Sequence, residues 1–471
     1  MRKILHKILL VLFISMSFAS TGAKSHSAEL LHVGRYVPIA SNNSYLFTAK
    51  TFSSLSSRKV DVYNIKSDGQ LNKYREISSP KPMSGDDFGF SIAASDKYVL
   101  IGAPGHDDGH GIAYLYELKD SNWILVKTYE NPVSFQDKGY PHKFGYNVAI
   151  TDDYLSISAP FNNDGVVYIY DLDSVDENRI VSKLVDKVDV RELGDVEGCY
   201  AIGPDQFGFG ISTSFNNNKL VIGSLKDFVY LIEYQDGIPF GTEIYNPTND
   251  QEMERYKFGQ TVHLGNKNLY ISSLASDMGK GKVYVYPYLD SFNRTDENPW
   301  SNPYEVQPGD LKENAHFGYS FSEQNNEVAI STFNQAAVYK FQINMNNKLE
   351  QISIIKNKSL PKNAYFGRNV LHLNSSLMTD AYYHNELFIY SANSLSFSNS
   401  LDTSDEILSI KSRVECTNGF AGQFECDDID LFSFMDKSEI GGSNSTALND
   451  IWGWTDSQTG KEYALVGMSN G

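Results

Sequence analysis

The residues best suited to chemistry in this 471-residue chain form a short cluster of imidazoles and carboxylates. His106, Asp107, Asp108 and His110 follow one another closely within residues 105–111. Two imidazoles and two carboxylates at this spacing could hold a divalent metal ion. However, the cluster stands just before a Tyr-rich stretch, in a segment where Asp and Gly are the residues that a tight turn requires. We therefore favour a solvated turn over a metal site.

Other residues with suitable chemistry are scattered along the chain. Three carboxylates near the C-terminal end could bind calcium, although a solvated acidic turn is the favoured interpretation: Asp427, Asp428 and Asp430. Four dispersed histidines could line an internal channel, although core or surface positions are favoured: His142, His263, His316 and His372. A nucleophile elbow, a His-Glu-x-x-His helix and a phosphate-binding Gly-rich loop are all missing from the sequence. The sequence therefore predicts no catalytic residues, but it leaves an enzyme open because an active site can assemble from residues that are far apart in the sequence.

Charge and the N-terminal segment narrow the class of protein. The chain carries 58 acidic against 40 basic residues, a net charge of −18, whereas nucleic-acid binders need a basic surface. Arg2, Lys3 and Lys7 precede an apolar run over residues 8–18 and then a group of small residues. This is the pattern of a secretory signal peptide over residues 1–23, and the run is too short for a membrane span. We expect a secreted or cell-surface protein with no transmembrane helix in this chain and no nucleic-acid partner.

An internal repeat organises the chain. A Phe-Gly pair recurs six times, with Val33-Gly34 one period earlier, and its glycines are 49–63 residues apart. The six pairs are Phe88-Gly89, Phe144-Gly145, Phe207-Gly208, Phe258-Gly259, Phe317-Gly318 and Phe366-Gly367. Such a period is the signature of a repeat architecture. We expect each Phe to wedge between neighbouring sheets, and each Gly to allow a turn or a close approach of two backbones.

Each repeat contains the pattern of four short strands. The pair precedes an apolar strand ending in small residues, as at 99–104, and then an alternating Tyr-rich strand, as at 113–116. A variable fourth strand closes most units, for example at 123–129, 350–356 and 406–410. A stack of unrelated sandwich domains would not keep one period, whereas sheets arranged around an axis bury both faces against their neighbours. The sequence thus predicts an all-β, seven-bladed β-propeller of four-stranded antiparallel blades over residues 24–413.

These motifs carry a family resemblance. Phe-Gly, followed by Gly-Ala-Pro and a Tyr-x-Tyr strand, resembles the FG-GAP repeat of integrin α chains and of bacterial surface proteins. The resemblance implies an extracellular adhesion or recognition protein that uses loops at one end of its propeller. The Asp-x-Asp-x-Asp-Gly calcium loops of that family are missing from the corresponding turns, for example at residues 95–97 and 151–153. We therefore expect no cofactor and do not transfer calcium sites to these positions.

After a Ser-rich stretch over residues 391–404, the period stops. Cys416 and Cys426 are ten positions apart, and we expect a disulfide between them. In the chain-entropy model this disulfide would stabilise the fold by roughly 3 kcal/mol. Cys199, the third cysteine, would then remain without a disulfide partner. Alternating strands at 449–456 and 462–467 predict a hairpin. Residues 414–471 resemble the start of the choice-of-anchor B domain, a bacterial surface module. That resemblance implies that the chain is a piece of a longer protein whose anchor follows Gly471.

Three functions remain open at this point. The leading hypothesis is a surface protein whose propeller binds an extracellular protein or glycan through inter-strand loops. The uneven segments 171–203 and 290–314 are the predicted binding loops, because long insertions on a rigid scaffold commonly carry function. A secreted hydrolase or lyase with a site at the channel mouth is the alternative, and a passive spacer is the third. Neither the ligand nor the oligomeric state follows from the sequence.

Overall fold

Seven four-stranded antiparallel sheets form the propeller, each built from four strands that are consecutive in sequence. The computed structural model describes residues 39–49, 59–66, 70–83, 85–133, 141–162, 165–176, 179–189, 211–216, 218–224, 228–235, 238–247, 258–287, 303–357, 366–373, 376–381, 386–391, 397–402, 420–421, 424–425, 448–455 and 462–468. The predicted all-β, seven-bladed propeller is confirmed.

The first four blades follow one another without crossovers. Blade 1 contains β1 (Ile39–Ser41), β2 (Tyr45–Ala49), β3 (Lys59–Ile65) and β4 (Leu71–Ser78). Blade 2 contains β5 (Ser91–Ala94), β6 (Tyr98–Ala103), β7 (Ile112–Lys119) and β8 (Asn122–Glu130). Blade 3 contains β9 (Val148–Ile150), β10 (Tyr154–Ala159), β11 (Val166–Asp176) and β12 (Arg179–Asp189). Blade 4 contains β13 (Thr213–Asn216), β14 (Lys219–Ile222), β15 (Phe228–Gln235) and β16 (Ile238–Tyr245).

The remaining three blades repeat the same order. Blade 5 contains β17 (Phe258–Leu264), β18 (Asn268–Ser273), β19 (Lys282–Pro287) and β20 (Tyr304–Val306). Blade 6 contains β21 (Phe317–Gln324), β22 (Glu327–Thr332), β23 (Val338–Ile343) and β24 (Leu349–Ile355). Blade 7 contains β25 (Phe366–Leu373), β26 (Ser376–Ala381), β27 (Glu386–Ser391) and β28 (Phe397–Asp402). Two single turns connect second to third strands, α1 (His106–Gly109) in blade 2 and α2 (Ser276–Gly279) in blade 5.

The first strand of every blade contacts the first strands of both neighbours, which places these strands around the central axis. Blade 7 contacts blade 1 through β25 and β1, so the ring is closed. An apolar cluster that includes Leu46 and Tyr63 of blade 1 and Met378 and Ile389 of blade 7 fills this last junction. Because blades 1 and 7 are each formed by four consecutive strands, side-chain packing rather than a shared sheet joins the two blades.

The repeated Phe residues lie between blades. Within the described part of the chain they are fully buried: Phe88, Phe144, Phe258, Phe317 and Phe366. Phe144, for example, packs with Leu100 and Leu115 of blade 2 and with Leu155 and Ile157 of blade 3. Each Phe also contacts an aromatic ring on the third strand of its own blade, with ring centroids 5.5–5.7 Å apart. The pair Phe207-Gly208 lies outside the described residues.

The glycine of the repeat lets two blades approach closely. Gly145 has a φ of 86°, in the left-handed region, and a Cβ there would lie 2.6 Å from the carbonyl oxygen of Ile112. Gly259 has a φ of 82° and would meet the Val229 side chain of the preceding blade at the same distance. A side chain at either position would combine backbone strain with a clash.

Two sequence-based expectations about blade ends are wrong. The fourth strand of blade 7 is β28, inside the Ser-rich stretch, and not the expected strand at 406–410, which lies outside the described residues. Residues 171–176 and 179–189 of the expected loop 171–203 belong instead to the paired strands β11 and β12, and residues 190–203 lie outside the described residues. The polar and acidic residues of these strands alternate with apolar ones, as in a strand with one exposed face, and this alternation is easily taken for a loop composition.

Beyond the propeller, the structure describes two short hairpins. Strands β29 (Phe420–Ala421) and β30 (Phe424–Glu425) pair antiparallel, as do β31 (Leu448–Thr455) and β32 (Glu462–Met468). The second pair confirms the hairpin predicted at 449–456 and 462–467. Cys199, Cys416 and Cys426 and the carboxylates Asp427, Asp428 and Asp430 lie outside the described residues, as does the predicted signal peptide. In the part of the chain that the structure describes, no helix has the length and apolarity that crossing a bilayer requires.

Candidate functional site

The predicted imidazole–carboxylate cluster that begins at His106 forms the connection between β6 and β7. Asp107 and Asp108 have left-handed φ angles of 50° and 53°, and the two corresponding residues of α2 in blade 5 have 50° and 54°. The blade 5 loop has the sequence Ser-Asp-Met-Gly-Lys, so the same backbone forms without histidine. Among the described residues, no group of three or more His, Cys, Asp or Glu side chains could hold a metal ion.

His110 of this cluster lies beside His142, with ring centroids 5.5 Å apart. Between them, Asn131 Nδ2 donates to the carbonyl oxygen of His110 at 3.1 Å and lies 3.2 Å from His142 Nδ1. Asn131 Oδ1 accepts from the Val133 N–H at 3.1 Å, so the amide cannot turn over without losing backbone partners. His142 Nδ1 must therefore accept, which requires a neutral ring. Burial lowers the pKa of His142, and the neighbouring His110 lowers this pKa further.

His263 and His372, two of the dispersed histidines, lie near each other on axial strands of blades 5 and 7. The His263 ring stacks on Phe321 of β21, with centroids 6.3 Å apart. His372 donates its backbone N–H to Ser322 Oγ at 2.8 Å, and its Nδ1 lies 3.2 Å from the Ser322 carbonyl oxygen. His316, in contrast, lies before β21 and places Nδ1 3.0 Å from the Leu274 carbonyl oxygen.

Burial keeps both axial histidines neutral at pH 7. It lowers the pKa of His372 to about 4, with a further contribution from the positive charge of Lys340. It also lowers the pKa of His263 to about 4, and the nearby His372 adds to this effect. Within the described structure, the Nε2 atom of each ring is buried without a hydrogen-bond partner. The interior next to the axis thus contains two neutral imidazoles whose Nε2 atoms have no hydrogen-bond partner among the described residues.

A polar cavity of about 220 Å³ opens at the axis where the first strands end. Residues from blades 1, 2, 6 and 7 line it: Ser41, Asn42, Asn43, Ala94, Ser95, Asp96, Gln324, His372 and Leu373. Because the first strands surround the axis, a cavity lined by their ends in four successive blades is a mouth of the central channel. We call it the axial cavity.

Some polar groups of the axial cavity hold the turns in place. Asn42 Oδ1 accepts from the backbone N–H groups of Ser44 at 2.9 Å and Tyr45 at 2.8 Å. Asn42 Nδ2 donates to the Ser95 carbonyl oxygen at 2.8 Å, which joins the first turns of blades 1 and 2. Asn43 Nδ2 donates to Asp96 Oδ1 at 3.1 Å and forms a second link between the same turns. The wall of the cavity is therefore fixed before any ligand arrives.

Other polar groups remain available to a ligand. Asn43 Oδ1 and Asp96 Oδ2 make no hydrogen bond to another described residue, and neither do the side chains of Ser41 and Gln324. Among the residues that line the cavity, Asp96 is the only acidic one, and none is Lys or Arg. The axial cavity thus offers amide, hydroxyl and carboxylate groups at one end of the channel.

At the other end of the first strands, large side chains fill the space between blades. The second residue after the repeated Phe is buried in blades 2, 3, 6 and 7: Phe90, Tyr146, Tyr319 and Arg368. The rings of Phe90 and Tyr146 have centroids 4.9 Å apart. Arg368 donates from Nη2 to the Tyr319 hydroxyl at 3.1 Å and stacks over Phe333 at 4.6 Å. Of the two ends, the one with the axial cavity is the better candidate for ligand binding.

Most residues of the axial cavity escaped the sequence analysis. His372 was singled out, and the turn at 95–97 was noted only for its missing calcium ligands. A signal was nonetheless present, because Asp96, Gln324 and His372 stand eight, seven and six residues after the Phe of their repeats. Residues at similar repeat positions lie at the same height along the axis of a propeller, so superposing the repeats would have grouped them.

The fold and the repeat define the class of this protein as a seven-bladed β-propeller with an FG-GAP element. The family model described as FG-GAP repeat matches residues 76–116, which extend from β4 through β7. Among curated proteins, no significant sequence relative of the chain is found.

Several solved structures are similar in fold. Sqt1 of Saccharomyces cerevisiae is 9% identical with a TM-score of 0.45, over 84% of this chain and 92% of that chain. The periplasmic gluconolactonase PpgL of Pseudomonas aeruginosa is 11% identical with a TM-score of 0.49, over 76% of this chain and 94% of that chain. AztD of Citrobacter koseri is 10% identical with a TM-score of 0.43, over 78% of this chain and 86% of that chain. At these values the similarities carry no argument about function.

Proposed function

We propose that this chain is an exported recognition protein whose propeller binds an extracellular protein or glycan at the axial cavity. The observation that carries the proposal is the combination of a preformed wall with unused polar groups. Asn42 and Asn43 tie the turns of blades 1 and 2 together, while Asp96 Oδ2 and the Gln324 amide make no hydrogen bond to another described residue. Preorganised polar groups reduce the entropy that binding would otherwise cost.

Export and surface attachment belong to the same proposal. The basic and apolar segment over residues 1–23 supports export, because it has the pattern of a secretory signal peptide. The resemblance of residues 414–471 to the choice-of-anchor B module supports display at a cell surface. Within this proposal, the propeller is the part of the protein that meets the ligand.

A hydrolase or lyase at the same cavity is the second candidate. It is favoured by one observation, the presence of a carboxylate and an imidazole, Asp96 and His372, in a single axial cavity. Against it, His372 Nε2 is buried and its ring is held at Ser322, so it reaches no solute without moving. General acid–base chemistry needs a group within hydrogen-bond reach of the substrate. Binding without turnover is therefore the function that this geometry supports better.

The test is capture of ligands by the purified chain, using a neutral-glycan array and a panel of immobilised extracellular-matrix proteins. Gln324→Trp fills the axial cavity from a position where the native side chain makes no described hydrogen bond. Gln351→Trp, at an exposed position on β24, is the matched control. We expect Gln324→Trp to abolish capture while Gln351→Trp retains it, with unchanged thermal unfolding in both.

Two results would contradict the proposal. Capture that is unaffected by Gln324→Trp would place recognition elsewhere on the propeller. Release of a cleaved product by the native chain, lost in Gln324→Trp and retained in Gln351→Trp, would establish the enzyme instead.

A further inference from the structure

We infer that the axial cavity accommodates one neutral sugar ring, at the end of or within a glycan. This inference rests on the proposed function and narrows its ligand to a single chemical class. It follows from the polar groups that make no hydrogen bond to another described residue, from the lack of Lys and Arg among the lining residues and from the size of the cavity.

The free groups of the cavity match a set of neighbouring hydroxyls. Asn43 Oδ1 and Asp96 Oδ2 can only accept hydrogen bonds, whereas the Ser41 hydroxyl and the Gln324 amide can both donate and accept. A sugar ring presents several hydroxyls, each of which donates once and accepts twice. A carboxylate that accepts from a neutral hydroxyl makes a charge-assisted hydrogen bond, which is stronger than a neutral one. A polyhydroxylated ligand can therefore satisfy all four groups together.

The charge of the cavity disfavours acidic ligands. Asp96 supplies the one carboxylate among the residues that line the cavity, and none of these residues is Lys or Arg. The Nζ of the neighbouring Lys97 lies 3.8 Å from a carboxylate oxygen of Asp152 in blade 3. The chain as a whole carries a net charge of −18. A uronic acid or a sulfated sugar would place its negative charge beside the exposed Asp96 carboxylate, and like charges in such a position repel each other.

The size of the cavity limits the ligand to a small one. Its volume of about 220 Å³ is below the range of roughly 300–1,000 Å³ that drug-sized ligands occupy. No Phe, Tyr or Trp is among its lining residues, and the ring of His372 is almost entirely buried, so hydrogen bonds rather than ring stacking must hold the ligand. We therefore expect an isolated monosaccharide to bind weakly, with a Kd of about 1 mM, which corresponds to roughly −4 kcal/mol. Multivalent glycans would bind more tightly through repeated weak contacts.

The experiment compares two probes that differ in one group. Methyl α-D-glucopyranoside and the sodium salt of methyl α-D-glucopyranosiduronic acid are titrated into the full chain, followed by saturation-transfer NMR and calorimetry. Methyl α-D-mannopyranoside and methyl α-D-galactopyranoside are titrated in parallel, because the geometry does not select among neutral hexoses. We expect at least one neutral hexoside to bind at millimolar concentration and the uronate to bind at least about tenfold more weakly than the glucoside.

Variants separate the contribution of the carboxylate from general effects. Asp96→Asn should weaken the binding of neutral hexosides and reduce their advantage over the uronate to less than about threefold, because the repulsive charge is removed. Asp153→Asn changes the exposed carboxylate at the first turn of blade 3, outside the cavity, and should leave both affinities at their native values.

Three outcomes would contradict the inference, and one of them would also contradict the proposed function. Equal or tighter binding of the uronate overturns the inference. Failure of all neutral hexosides to bind, while Gln324→Trp still abolishes capture of a matrix protein, also overturns it and leaves the proposed function standing with a peptide ligand. If Gln324→Trp changes neither sugar binding nor protein capture, the proposed function and the inference fail together.

Discussion

Phe144 lies edge-on against Tyr168, with ring centroids 5.6 Å apart and an interplanar angle of 60°. The same relationship recurs in four other blades, where each repeated Phe meets an aromatic residue of the third strand. The Phe ring thus packs against the sheet of its own blade while its other side fills the junction with the preceding blade. The repeated Phe therefore stabilises both the sheet of its own blade and the junction with the neighbouring blade.

We expect Phe144→Ala to lower the free energy of unfolding by about 3–5 kcal/mol, because the ring is fully buried and its loss leaves a cavity between blades 2 and 3. Phe144→Leu is the control, since it keeps most of the apolar volume and should cost much less. Urea titration of both variants measures the difference. A loss below about 1 kcal/mol for the Ala variant would show that the junction repacks without the ring.

Gly145→Ala tests the close approach of two blades. A Cβ at this position would be strained by the φ of 86° and would lie 2.6 Å from the Ile112 carbonyl oxygen. Gly85→Ala carries a similar strain, with a φ of 70°, but its Cβ has no atom within 4 Å. The strain alone costs about 1–2 kcal/mol, so we expect that loss for Gly85→Ala and a clearly larger one for Gly145→Ala. Thermal unfolding of the two variants gives the comparison, and equal losses would mean that the clash is relieved at no cost.

Protonation of His142 should destabilise the contact with Asn131 and His110. The folded state holds the pKa of His142 below its ordinary value, so the unfolded state binds a proton first as the pH falls. The stability that this contact provides is therefore complete above about pH 6.5 and is lost progressively below it. Unfolding measured between pH 8 and pH 5 should show this loss in the native chain.

We expect Asn131→Asp to reverse the pH dependence of the contact with His142. A carboxylate accepts from a protonated His142 and repels the His110 carbonyl oxygen that the native amide satisfies at 3.1 Å. We expect this variant to be less stable than the native chain at pH 8 and to approach it near pH 5. A difference in stability between the two chains that stays constant across this pH range would show that the protonation of His142 does not depend on the side chain at position 131.

Asp380 makes the opposite contribution to the pH dependence. Burial raises the pKa of this carboxyl to about 6, although Asn369 donates to it from its backbone N–H at 2.7 Å and its side chain at 2.8 Å. Because the folded state prefers the protonated form, Asp380 reduces stability as the pH rises from about 4 to 6. Relative to the native chain, Asp380→Asn should therefore gain about 2–3 kcal/mol between pH 4.5 and pH 8. A pH-independent difference in urea titration would contradict the raised pKa.

The limits of sequence reasoning are clearest at blade ends. The Ser-rich strand β28 resembles a linker because its side chains do not follow the apolar alternation of the inner strands, yet the register with β27 makes it the fourth strand of blade 7. Outer strands face solvent on one edge and tolerate polar residues, so their composition says little about their structure. The inner strands, whose faces are buried on both sides, were predicted from the repeat at nearly correct positions.

The repeat alone determined the architecture of this protein, because a sheet of four short strands with two apolar faces is stable only when its neighbours cover both. The number of Phe-Gly and Val-Gly pairs was therefore enough to predict seven blades. Only the tertiary structure brought Asn43, Asp96, Gln324 and His372 to one axial cavity, since these residues come from four blades and are up to 329 positions apart. Superposed repeats group the turns that lie at the same height along the axis, but only the closed ring brings the turns of blades 6 and 7 next to those of blades 1 and 2.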